Sequence, residues 1–371
     1  MKQRKIGRLA LVCGACISFY IGAGFATMQE IVQYDASYGS LFPLVILVTA
    51  LIYLYTNVSF AVNGHRLHLS RGGQIYEVYG SILGVRFSRY MGIFFDYFSA
   101  LFCYMSFIVM CGGANATAAQ QWNLPSGSGA ILLTILVIVT AVFGLGGILQ
   151  ALGRISPIII FMILGVALYA TISGWPSVPE GLAAIDRGEY ETIMKQVGNG
   201  NPLAAGASYG GFVILWFAAF ISEIGAKNQL SVVNKGMGLS ALFIFGTAAL
   251  CCLGIIGHVS EAAGADIPAL ILAKQISPFV AELFAIVICA GIYTSAVPLL
   301  WTGVRKFAAE GTVKYKILIS IAGLVGCVVA CFVPYKGLIN VLYGINGYLG
   351  AILVLFMLVY DIRTRMSGRN R

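Results

Sequence analysis

The chain has 371 residues, 59% of them hydrophobic and only 10% charged, with a formal net charge of +9. Soluble domains carry about 25% charged residues, so a mean hydropathy of +0.89 and repeated long apolar runs exclude a soluble globular protein and place the chain in a bilayer. The positive balance does not imply a nucleic-acid partner, because Lys and Arg sit in short segments between apolar runs rather than along one soluble face.

Ten apolar spans are predicted, at 7–33, 39–62, 89–115, 129–150, 155–175, 206–228, 237–258, 277–303, 316–334 and 338–361. The first follows Lys2, Arg4, Lys5 and Arg8 and has the basic start of a signal peptide, but its apolar stretch runs too long and nine more follow. Between the spans, residues 67–88 and 262–275 are each expected to hold an interfacial helix. The longest connection, 176–205, is polar and is expected to hold a short amphipathic helix outside the membrane. With both termini in the cytoplasm, all of the 23 Lys and Arg residues except Arg187, Lys195, Lys274 and Lys336 fall on the inner side. That is the expected asymmetry for a plasma-membrane protein. Trp122 and Trp175 then mark the outer interface and Trp301 the inner one.

The first span contains Ser18-Phe-Tyr-Ile-Gly-Ala-Gly-Phe-Ala-Thr-Met-Gln-Glu30. Irregular backbone and polar groups at membrane depth are tolerated only inside protein or beside water. A Gly-interrupted span near the start of a repeat marks a transporter's binding site. An opening at Gly22–Gly24 would free the carbonyls near Tyr20 and Ile21 for a cation, and the N–H groups of an outer half-helix starting near Phe25 for a carboxylate. The alternative is a glycine pair for close helix packing; the adjacent Thr27, Gln29 and Glu30 favour a site. The second five spans start on the opposite side from the first five, so residues 1–175 and 206–371 form an inverted pair joined by the external linker 176–205. Span 6 is then the partner of span 1, and its small residues Ala218 and Ala219, before Ser222 and Glu223, lie where a break is expected.

Span 8 carries Gly291 and the adjacent hydroxyls of Thr294 and Ser295, oxygens that suit a hard cation such as sodium; the alternative is that both hydroxyls bond back to helix carbonyls. Tyr104, Trp216 and Tyr293 are candidates to line the cavity, against ordinary packing as the alternative. Acids within spans are functional candidates. Glu30 lies six residues beyond Gly24, roughly 9 Å outward at 1.5 Å per residue, the place of an outer gate or proton site. Asp96 suits an inner gate, with Arg8 or Lys5 as its partner, and Glu223 is a second gate or proton candidate. Glu282 is expected to be solvated. The nine cysteines all lie in apolar spans, and Cys13-x-x-Cys16 has no second ligand pair, so they read as packing residues rather than disulfides or a metal site. No metal-ligand set or nucleophile pairing points to an enzyme or a bound cofactor.

The run Gly22-Ala-Gly-Phe-Ala-Thr-Met-Gln-Glu-Ile31 resembles the first-helix signature of the YkvI-like amino-acid permeases, in the amino acid–polyamine–cation superfamily. The span order resembles the LeuT-like fold: all-α, about ten transmembrane helices in a 5+5 inverted repeat, with helices 1 and 6 broken. This chain departs from the family in carrying Thr27-Met28 before Gln29, and Trp216 and Phe220 in span 6. The resemblance implies alternating-access transport of a small zwitterion such as an amino acid. It also implies sodium as co-substrate, held by Ser18, Ile21, Gly291, Thr294 and Ser295, with Tyr20, Gly22, Ala23, Gly24, Phe25, Tyr104, Trp216, Ala218, Ala219 and Tyr293 at the substrate. Proton coupling through Glu30 or Glu223, and a nutrient receptor that binds without transporting, are the alternatives.

Overall fold

The computed structural model describes residues 2–69, 73–143 and 156–366; the side chains of Ser18, Ala23 and Trp216, three of the predicted site residues, lie outside the description. Arg71, Arg154, Arg369 and Arg371, which enter the charge asymmetry, and the join between the predicted fourth and fifth spans also lie outside the described residues. The protein is 87% helix with no strands among the described residues.

The first span is three pieces rather than one helix. Helix α1 (Lys2–Tyr20) stops at Ile21–Gly22, α2 (Ala23–Ala26) is a single turn, and α3 (Gln29–Tyr34) follows a second interruption at Thr27–Met28. At the first break the Gly22 N–H turns to the Tyr20 carbonyl, 2.9 Å away. At the second, Met28 takes a left-handed conformation with φ 61°, uncommon for a residue with a Cβ.

The remaining spans are α4 (Phe42–Leu67), α6 (Val85–Trp122), α7 (Ser128–Phe143), α8 (Ser156–Gly174), α11 (Pro202–Lys227), α12 (Leu230–Gly257), α15 (Pro278–Arg305) and α16 (Val313–Phe332). The last is built from α17 (Tyr335–Leu338), a π-helical turn over Ile339–Tyr343 and α18 (Gly344–Met366). The three expected helices in the connections are present as α5 (Gln74–Gly80), α9 (Val178–Asp186) and α14 (Pro268–Ile276), and two single turns not expected from the sequence, α10 (Glu191–Met194) and α13 (Val259–Ala262), accompany them. Among the described residues seven helices are long and apolar enough to cross a bilayer, and α11, bent by 58° between Pro202–Leu215 and Phe217–Lys227, makes an eighth. The other two predicted spans are the interrupted first segment and α7, which runs up to residue 143. This is a multi-pass membrane protein. The face carrying α9, α10 and α14 is called the loop side below, and the opposite face the terminal side.

Helix packing supplies the frame. α11 lies along α4 on one side and α18 on the other, α6 lies along α15, and α12 packs on α1 and α8. In a bilayer, association depends on close backbone approach rather than on hydrophobic exclusion of water. The packing of α11 on α18 is the tightest example: a Cβ built on Gly350 would lie 1.8 Å from the Gly211 carbonyl oxygen, and one on Gly211 would lie 2.1 Å from that of Gly347. These obstacles are backbone, which cannot rotate away.

Gly350→Ala should therefore lower stability by about 1–3 kcal/mol, the usual cost of overpacking. Gly344→Ala, where nothing lies within 4 Å of the added carbon, serves as the control. Equal melting temperatures of the two variants in detergent would show that the close backbone approach is not what holds α11 to α18.

Candidate functional site

The first break is closed in by aromatic rings. Tyr20, the last residue of α1, meets Phe25 edge-on at 6.1 Å and both Tyr53 of α4 and Phe245 of α12 at 5.7 Å, with Tyr209 and Phe217 of α11 at 6.3 Å. Tyr20 and Phe25 are buried, as is Ile21. The predicted break residues thus come together with spans 2, 6 and 7, and the space beside the break is occupied by side chains of the protein itself.

Glu30 is not held 9 Å from this region. The expected rise assumes a continuous helix, and the turn at Thr27–Met28 cancels it. The carboxylate folds back over Gly24, where an added Cβ would lie 1.7 Å from Oε1. Tyr209 donates its hydroxyl to the Glu30 Oε2 at 3.2 Å. Glu30 is 5% exposed, and no ion pair is recorded for it among the described residues. Gly24 is therefore required for the close approach of the carboxylate to the backbone of the break.

A file of stacked rings continues from this contact. Tyr34 stacks on Tyr209 at 4.5 Å, Tyr209 on Phe212 at 5.8 Å, and Phe212 on Tyr343 at 4.5 Å. These rings join α3, α11 and the π-turn of span 10. Offset stacking adds to the area the rings bury and ties α3 to the loop-side half of α11.

The second interruption is tied to the loop side. The Thr27 hydroxyl donates to the Gly24 carbonyl at 2.9 Å and shares a 3.1 Å hydrogen bond with the Tyr335 hydroxyl. The Thr27 carbonyl accepts the Ala269 N–H of α14 at 3.1 Å. Gln120 of α6 clamps the same connection, accepting from the Ile267 N–H and donating to the Ile267 carbonyl, both at 2.9 Å. Lys336 is buried and donates to the carbonyls of Ala263 and Gly264 at 3.0 Å, while its own carbonyl accepts from Gln33 at 2.9 Å. The loop side is closed over the break by these bonds.

Other predicted residues point elsewhere. Tyr104 gives its hydroxyl to the Ala322 carbonyl of α16 at 3.0 Å, and Tyr293 pairs with Thr140 of α7 at 2.6 Å; both serve packing between helices. Ala218 is fully buried at the bend of α11 and Ala219 is exposed. Glu223 is an exposed acid paired with Lys227 one turn on, at 2.5 Å. Asp96 is paired with Lys306 at the end of α15, rather than with the expected Arg8; the side chain of Lys5, the other expected partner, lies outside the description. Glu282 is not simply solvated: it accepts from Trp122 at 2.7 Å and Gln121 at 3.0 Å, fastening the end of α6 to the start of α15.

For the predicted cation ligands, α15 packs against α2, and Gly291 packs on Ile159 of α8. Thr294 donates its hydroxyl to the Gly291 carbonyl at 2.8 Å, the back-bonded arrangement, which leaves the hydroxyl's lone pairs free. Ser295 is half-buried beside it. Among the described residues no three His, Cys, Asp or Glu side chains are grouped to hold a metal ion.

The sequence reading missed Tyr209, Thr27's double role, Tyr335 and Lys336. It also missed Asp35, an acid 1% exposed just beyond the assumed end of span 1. The adjacent Gly210-Gly211, which let α11 approach its neighbours, were the available signal for Tyr209.

No protein-family model matches the chain, and no curated protein matches it. Solved structures do. The Eremococcus coleocola manganese transporter, in complex with an aromatic bis-isothiourea substituted compound, aligns with TM-score 0.55 and 17% identity over 95% of this chain and 78% of that one. A single-residue mutant of the same transporter gives the same values. MhsT in complex with L-phenylalanine aligns with TM-score 0.45 and 15% identity, over 95% of this chain and 87% of that one. The fold is LeuT-like.

Because Gly24 and Tyr209 act on one carboxylate, Gly24→Ala and Tyr209→Phe should not add. A double-mutant cycle on unfolding should give a coupling of about 0.5–3 kcal/mol, as for residues sharing a contact. Additive effects would mean that Glu30 is not held between them.

Proposed function

We propose that the protein is a cation-coupled secondary transporter that moves a small zwitterion, an amino acid, across the plasma membrane by alternating access, with both termini in the cytoplasm. The observation that carries this reading is the interruption of the first span at Ile21–Gly22, ringed by Tyr20, Phe25, Tyr53, Tyr209, Phe217 and Phe245 in a LeuT-like fold. Buried, irregular backbone at membrane depth supplies N–H and carbonyl groups without charged side chains, which suits a solute carrying both signs. The surrounding rings suit its apolar part. The manganese named for the similar structures is not carried over, because the break offers one carboxylate, a threonine and aromatic rings rather than a divalent-metal ligand set. Membership of the YkvI-like permease family, suggested by Gly22 to Ile31, fits this reading.

Sodium is the coupling ion in this proposal, taken by the carbonyls of Ser18, Ile21 and Gly291 and the hydroxyls of Thr294 and Ser295. In this closed form the Thr294 hydroxyl is turned to Gly291, and sodium would use its lone pairs. Proton coupling is the second reading, favoured by one observation: the Glu30 carboxylate lies on the break itself, over Gly24. A receptor with the same pocket would bind an amino acid without accumulating it.

The test is uptake of labelled amino acids into proteoliposomes, with a sodium gradient or with a proton gradient in choline buffer. Accumulation driven by sodium, with Thr294→Ala losing sodium dependence and Glu30→Gln retaining it, is the expected result. Accumulation driven only by protons and lost in Glu30→Gln would replace sodium by the second reading. Binding of an amino acid, seen as a raised melting temperature, without accumulation under either gradient would overturn transport in favour of the receptor.

A further inference from the structure

The buried polar atoms of the first span are poorly satisfied. Both Gln29 amide atoms, Gln33 Oε1, the Tyr34 hydroxyl and both carboxylate oxygens of Asp35 are buried without a hydrogen-bond partner among the described residues. Asp35 is the most costly of these, since buried charge without a partner is the least tolerated arrangement in a protein interior. Its backbone is ordinary: the N–H bonds the Ile31 carbonyl at 3.0 Å and the carbonyl accepts from Tyr38 at 3.0 Å. Only the side chain is unexplained.

The titratable side chains electrostatically linked to this carboxylate are Glu30 and Tyr34 on α3, Tyr20 on α1, Tyr209 on α11, and Cys251 and Cys252 on α12. None is a cation. Lys336, the buried cation of the loop-side gate, spends its ammonium on the carbonyls of Ala263 and Gly264. A metal cation would need several oxygens converging on one point, and no three His, Cys, Asp or Glu side chains converge among the described residues. A proton needs no such shell. It converts the carboxylate into a neutral acid whose burial costs far less.

A pocket of 190 Å³ on the loop side is lined by Ser37, Asp186, Glu191 and Gln196 among others, and reaches to within two residues of Asp35 along the chain. The Ser37 carbonyl is sealed by the Gln196 amide at 2.8 Å, and the Gln33 carbonyl by the Val197 N–H at 3.1 Å. We propose that Asp35 is a proton-binding site, separate from Glu30, whose proton is shut in when the loop side closes. Its use as a coupling site rests on the transporter reading above; the binding of the proton does not.

Infrared spectroscopy of the purified full-length chain in an ester-free detergent and sodium-free choline buffer tests this directly, through the C=O stretch of a neutral carboxylic acid. The expected result is such a band at neutral pH in the native chain and in Glu30→Gln, absent in Asp35→Asn and shifted in frequency in Asp35→Glu. A missing band, or one unchanged in Asp35→Asn, overturns the proposal. Loss of the band on adding sodium chloride at constant pH overturns it in favour of a metal-cation site. If Asp35→Asn does not fold, the Asp35→Glu shift decides, and an unshifted band is the overturning result. No cargo is needed, so failure of amino-acid uptake and failure of this proposal are separable.

Discussion

A backbone that leaves its helix inside a bilayer must find new partners for its N–H and carbonyl groups, and the arrangement of the other spans follows from how this chain meets that demand. At Ile21–Gly22 the chain satisfies part of it locally, by the short turn to the Tyr20 carbonyl. At Thr27–Met28 it does so through distant residues: Tyr335 on the hydroxyl and Ala269 on the carbonyl. The second interruption can therefore persist in this form only while the loop between α12 and α15 lies over it. The closed loop side and the broken span are one structural fact.

Two kinds of packing transmit that constraint. Stacked rings from Tyr34 through Tyr209 and Phe212 to Tyr343 bind α3, α11 and span 10 into one unit. Gly211 and Gly350 then bring α11 and α18 together backbone to backbone. Neither tolerates gradual sliding, because stacked rings and glycines seated against a facing carbonyl have one good register. Packed interiors of this type rearrange between discrete forms rather than deforming continuously, which is the property an alternating-access cycle requires.

The spans were legible in the sequence because each is a long apolar run, and the break in span 1 because glycine and polar residues interrupt such a run. Polar side-chain direction was not legible. Tyr104 and Tyr293 satisfy their hydroxyls on α16 and α7, and nothing in their own spans distinguishes that from facing a cavity. Glu30 was misplaced by treating the residues after Gly24 as uninterrupted helix; the left-handed Met28 depends on tertiary bonds from residues 269 and 335, hundreds of positions away. Glu223 and Asp96 found ion-pair partners, at the next helical turn and across the fold respectively. Only the first of those could be read from spacing.

The shortness of α3 has its own consequence. Five residues separate Glu30 from Asp35, a rotation of roughly 140° on a helix of 3.6 residues per turn, so the two acids leave the backbone in different directions. Glu30 meets Tyr209 of α11, and Asp35 acts on Cys251 and Cys252 of α12. The loop-side bonds of Gln196 and Val197 hold the carbonyls of Ser37 and Gln33, two residues to either side of Asp35. One six-residue helix, with the residue that caps it, thus carries two buried acids. It is too short to turn both toward one partner and too buried to turn either toward water.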